Sequence, residues 1–129
     1  MSGTRGPEAR VEEFSRGYRA GRYEDVYDLY SEGSEIKKGY SRHAYASNMR
    51  NAAKRTKMEI RESKLAGSKL EGETARVTLL SRTASIVGEW YVEEEFTLKK
   101  EDGEWKILTV AKVRQWPVRQ GGTSVRGTV

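Results

Sequence analysis

Glu93-Glu94-Glu95-Phe96-Thr97-Leu98-Lys99-Lys100-Glu101-Asp102-Gly103-Glu104-Trp105-Lys106-Ile107-Leu108 is the stretch that decides the fold. Phe96 and Leu98 alternate with Thr97 and Lys99, and Trp105 and Ile107 flank Lys106. Each half therefore has one face to bury, the period-2 signature of a strand. Between them, Glu101-Asp102-Gly103-Glu104 reads as a tight hairpin turn. Asp-Gly accepts the left-handed backbone whose twist matches that of paired strands.

Upstream, alternation continues. Trp90 and Val92 share the face of Phe96 and Leu98; Ala75, Val77 and Leu79 alternate with Arg76 and Thr78 in an earlier strand. A turn is expected near Ser85 to Gly88, and a first strand from Met58 and Ile60 towards Leu65. Gly67-Ser68 and Glu71-Gly72 read as punctuation around Leu70, and the last strand is expected from Trp105 to about Trp116. The first third of the chain changes period. Val11, Phe14 and Tyr18 make one helical stripe after Pro7, ended by Gly21. Tyr23, Val26, Tyr27 and Tyr30 make a second, ending near Gly33. Gly33 to Gly39 reads as a polar, turn-like link, and Ser41 as the N-cap of a third helix with Tyr45, Met49, Ala52 and Ala53 on its apolar side. Three N-terminal helices followed by consecutive antiparallel strands predict an α+β domain, the helices packed on one side of a strongly curved sheet of about four to six strands.

The 129 residues fit one domain, expected over 8–116, with a disordered leader over 1–7 and a flexible basic tail over 117–129. The N-terminus lacks the apolar stretch of a signal peptide, so the chain as written is expected in the cytoplasm; an exported domain whose leader had been removed would read the same. No apolar run approaches a membrane span. With no cysteine and one histidine, thiol catalysis and thiolate metal sites are excluded, and no metal or cofactor is expected. The net charge of +5 is uneven. Lys37 to Lys57 holds seven basic residues and no acid, yet lacks a nucleic-acid motif, so it reads as a solvated face rather than a nucleic-acid surface.

The segments VEEFSRGYRAGRYEDVYDLYS, YSRHAYASNMRNAAKR, LEGETARVTLL and FTLKKEDGEWKIL occur in an order that resembles the nuclear transport factor 2-like superfamily over roughly Val11 to Val113. The resemblance implies a cone, with the sheet wrapped around the first helix and a pocket at the open end. It carries no single function, since that superfamily hosts enzymes, ligand binders and accessory domains. Its isomerase-like members use a strand aspartate as base with an oxyanion hole of tyrosine and protonated aspartate. Here the aspartates are Asp25 and Asp28 on the second helix and Asp102 in the hairpin turn. Neither that pattern, nor an Asp-Arg-Asp set, nor a dehydratase-like histidine set maps onto the chain.

Glu94 is the strand carboxylate on an otherwise apolar face, between Val92 and Phe96. Facing inward it would be a desolvated base; the plainer reading puts it near the rim or pairs it with Arg76 or Arg82. His43, in the first turn of the third helix, reads as a solvated surface histidine, and as a functional group would be neutral there. Tyr18, Tyr45 and Trp90, with Glu94, are the candidates for a pocket holding a small amphipathic ligand, although the crowded tyrosines also suit plain packing. Ile86 and Val87 put aliphatic side chains at a hairpin tip, where a homodimer contact is the expected cover, with a membrane-proximal surface or the C-terminal tail as the alternatives. Arg50, Lys54 and Arg55 could dock on an acidic protein surface. The expected role is thus a non-catalytic ligand- or protein-binding module, with a Glu94–tyrosine isomerase- or cyclase-type enzyme and a docking domain as alternatives.

Overall fold

The computed structural model describes residues 6–118. Four helices, α1 (Pro7–Arg19), α2 (Tyr23–Asp28), α3 (Glu35–Gly39) and α4 (Arg42–Thr56), precede four strands, β1 (Glu59–Glu71), β2 (Thr74–Ser85), β3 (Gly88–Glu101) and β4 (Glu104–Pro117). The strands form one antiparallel meander in the order β1-β2-β3-β4. Most of the expected leader and tail lies outside the described residues.

The Asp-Gly turn forms as its residues require: Asp102 takes φ 51° and Gly103 φ 81°, both left-handed, and Glu101 pairs with Glu104. Gly103 is the residue type that adopts such a φ without strain. The hairpin is then tied to the helices. Ser31 N–H donates to Ile107 O at 2.7 Å and Ile107 N–H to Leu29 O at 2.9 Å, a parallel bridge at the exit of α2. Above that tie, α1 lays Val11 and Phe14 on the concave face, where Val77, Phe96, Leu98 and Ile107 are fully buried. Phe14 meets Phe96 edge-to-face at 5.1 Å.

Two arginine forks clamp α2 to α4. Arg42 donates twice to Asp28, at 2.9 Å each, and Arg50 twice to Glu24, at 2.9 and 2.6 Å. The Arg50 guanidinium holds the Glu24 carboxyl down at about 2. Arg50, a candidate for docking a partner, is thus engaged within the chain.

The structure differs from the sequence reading in three local ways. The link before Ser41 contains the single-turn α3, because Ser34 caps it by accepting from Lys37 N–H at 3.2 Å. Gly67-Ser68 does not end a strand: β1 runs through it, and a bulge at Ala66 absorbs the irregularity. A second bulge on β1 falls at Arg61, and β4 carries two more, at Leu108 and Val113. Those on β4 change which residues face inward. Beyond Ile107 simple alternation would point Thr109, Ala111 and Val113 into the cone. The extra residue at Leu108 instead sets Val110 and Lys112 opposite the inward Phe96 and Glu94. Four bulges on two edge strands also supply the bend that wraps the sheet around α1.

Candidate functional site

Beyond the buried end of the sheet, α1 no longer covers the strands, and a cavity of about 480 Å³ remains. Its floor is the buried set Phe14, Tyr30, Tyr45 and Leu79. Its walls are Met58 and Ile60 from β1, Ser81, Thr83 and Ser85 from β2, and Trp90 and Val92 from β3. Exposed Thr56, Val87, Lys112 and Gln115 mark the mouth.

Glu94 lies deep in this cavity. Along β3 the next inward residue below it is the fully buried Phe96, and its neighbours in register are Leu79 and Lys112. Burial pushes its carboxyl above the usual carboxylate range, and the Lys112 charge opposes that rise. Arg76 and Arg82 stand in register with the outward Thr97 and Tyr91, and Arg82 is held by Glu89 at 2.9 Å, so neither answers Glu94. Among the described residues no side chain hydrogen-bonds or ion-pairs with the Glu94 carboxyl. Lys112 Nζ donates to Gln115 Oε1 at 2.9 Å instead.

The tyrosines converge from three elements. Tyr18 comes from α1, Tyr30 from the exit of α2 and Tyr45 from α4, and all three line the cavity. Burial raises Tyr18 and Tyr30 to about 12, with the Glu94 charge adding to both, and raises Tyr45 further. All three hydroxyls are therefore protonated donors at neutral pH. The Tyr18 hydroxyl rests on Met49 Sδ at 3.6 Å, a weak acceptor that leaves it available. The Ser81 hydroxyl is paired with that of Ser63 at 3.0 Å.

Tyr18, Tyr45, Trp90 and Glu94 are thus brought around one space, along with Val87 from the hairpin tip. His43 is exposed and outside the cavity lining; Lys54 and Arg55 are exposed at the end of α4. Several lining residues escaped the sequence reading. Ser81, Thr83 and Ser85 were within reach, for they continue the inward parity of Ala75, Val77 and Leu79, and three hydroxyls in a row on a buried face signal a lined space. Lys112 was not, because the β4 bulge at Leu108 shifts that parity; Gln115 was, since the second bulge at Val113 restores the phase of Ile107. On the outer face a smaller groove of about 360 Å³ runs beside Arg82, Tyr91 and Trp116. Among the described residues no group of three or more His, Asp or Glu side chains converges on a metal position.

No protein-family model matches the chain, and no curated protein sequence matches it. Solved structures do. A SEC-C motif-containing protein from Rhodopseudomonas palustris superposes with a TM-score of 0.69 at 16% identity, covering 88% of this chain and 83% of that one. A nuclear transport factor 2-like protein with a cystatin-like fold from Novosphingobium aromaticivorans gives 0.58 at 15%, covering 81% and 77%. A ketosteroid isomerase-like protein from Erwinia carotovora atroseptica gives 0.61 at 13%, covering 83% and 93%. At these identities the likeness is one of fold: the chain adopts the nuclear transport factor 2-like, cystatin-like cone.

Proposed function

We propose that the cone binds a small amphipathic molecule without transforming it, and that the molecule enters polar end first. The observation that carries this reading is Glu94, a half-buried carboxyl with no protein partner among the described residues, at the inner end of a cavity whose walls combine the apolar Met58, Ile60, Trp90 and Val92 with the hydroxyls of Ser81, Thr83 and Ser85. A buried polar group without a partner is costly, and a ligand that supplies one recovers that cost. The head is therefore a hydrogen-bond donor or a cation placed at Glu94 among the tyrosine rings, and the body lies along Met58, Ile60, Val92 and Trp90.

Titrating the protein with ring-sized amines, alcohols and carboxylic acids, while following Trp fluorescence and NMR shifts, tests the reading. Amines and alcohols should bind saturably, and Glu94→Gln should weaken amines by roughly ten- to hundredfold, the worth of a charge-assisted hydrogen bond. Binding that is indifferent to Glu94→Gln, or no saturable binding, would overturn it.

A second reading, an isomerase-type enzyme, is favoured by one observation: a carboxyl with a raised pKa shares the cavity with protonated tyrosine hydroxyls, the pairing of base and donor that enolisation needs. It predicts Glu94-dependent exchange of the α-protons of cyclic ketones in deuterated water. A protein that binds such ketones without exchange is a binder alone.

A further inference from the structure

The cavity mouth has an edge that cavity binding does not explain. The two-residue tip of the β2–β3 hairpin, Ile86-Val87, is aliphatic, and the two residues are 65% and 75% exposed. Hairpin tips are ordinarily built from Gly, Asn, Asp or Ser, which are at home in water. The tip is held in place: Ile86 N–H donates to Thr56 O at 3.0 Å and Val87 N–H to Ser85 Oγ at 3.2 Å. The first of these bonds fastens it to the end of α4, where Lys54, Arg55 and Lys57 are all exposed.

Among the described residues the surrounding acids do not neutralise those cations. Glu59 is paired with Arg61 at 2.9 Å, and Glu89 and Glu62 with Arg82 at 2.9 and 3.8 Å. The rim thus presents two protruding aliphatic side chains beside three cations on long stems, with the cavity mouth opening next to them.

We propose that this rim docks on an anionic lipid surface, with Ile86 and Val87 entering the acyl boundary and Lys54, Arg55 and Lys57 meeting the headgroup charge. An acidic protein would need a matching apolar pocket beside its charges to take the tip, whereas an anionic bilayer offers acyl chains beneath headgroup charge everywhere on its surface; each basic side chain near such a surface adds about 1 kcal/mol. The proposal does not depend on what the cavity holds, although docking there would place the mouth against a source of amphiphiles.

The test is co-sedimentation of the full chain with vesicles of phosphatidylglycerol and phosphatidylcholine, and with phosphatidylcholine alone. Binding is expected to the anionic vesicles only, to fall with added salt, and to blue-shift Trp emission through Trp90 at the mouth. Ile86→Ser with Val87→Ser should weaken binding about tenfold or more, and Lys54→Ala, Arg55→Ala or Lys57→Ala about fivefold each. Lys64→Ala, Lys69→Ala and Arg76→Ala remove equal charge from the outer face and should leave binding within about twofold. Thermal unfolding of each variant checks that it is folded.

Absence of binding to anionic vesicles, or equal loss in the outer-face variants, would overturn the proposal. So would tip-dependent self-association without lipid binding, which would make the tip a contact between copies. Capture by a soluble polyglutamate as strong as by vesicles, and unaffected by the serine substitutions, would point to an acidic protein and overturn it equally.

Discussion

The concave face of one sheet does two different things at its two ends. At the hairpin end Val77, Phe96, Leu98 and Ile107 meet α1 and leave no space; at the other end Ser81, Thr83, Glu94 and Lys112 stand on the same strands around a cavity. The backbone is continuous between them. The difference lies in side-chain chemistry and in the reach of α1, which shows that one curved sheet can carry a core and a cavity in series. The steps between them are short: Phe96 and Glu94 are successive inward residues of β3.

Substitutions that exchange the character of the two ends test this division most directly. Phe96→Ala should cost about 3–5 kcal/mol in chemical unfolding, because the void it leaves beside Phe14 cannot collapse. A cost below about 1 kcal/mol would mean that the hairpin end is as loosely filled as the open one. Gly103→Ala should cost about 1 kcal/mol or more, since an alanine is strained at φ 81°, and the loss should appear in the unfolding midpoint with no change in cavity binding. Ser81→Ala, at the border of the cavity, should cost about 0.5–1.5 kcal/mol by removing the partner of Ser63.

The smallest effect is in the pH dependence. Burial raises the Glu94 carboxyl in the folded protein above its unfolded value, so between those two values the folded state binds more protons. Stability from this group is fully present below the ordinary carboxylate pKa of about 4.3 and is lost as pH rises through the raised value. Glu94→Gln should flatten that fall. If the variant's pH profile of unfolding parallels the parent's, Glu94 is better solvated than its position in the cavity implies.

The two ends were also unequally legible. The hairpin end announced itself because every cue agrees: Asp-Gly at the turn, alternation on both sides of it, and helical stripes at Val11, Phe14 and Val26 to bury it. The orientation of Glu94 follows from the same alternation, being two residues from Phe96. Its isolation does not follow, because whether Arg76 or Arg82 can reach it depends on which side of the sheet they occupy, and that is set by register. Lys112 was hidden by a further step. A bulge adds one residue without any compositional mark, so nothing in the run from Thr109 to Val113 tells that the face has changed.

The same bulges have a consequence beyond curvature. An open meander exposes two strand edges, and rows of unpaired N–H and C=O groups invite another chain to zip on and extend the sheet. Here both edges are long, 13 residues in β1 and 14 in β4. Each is interrupted twice, at Arg61 and Ala66 on one side and at Leu108 and Val113 on the other. A second copy laid along either edge would lose its hydrogen-bond phase within a few residues. The irregularities that bend the cone thus also guard it against growing into a fibre.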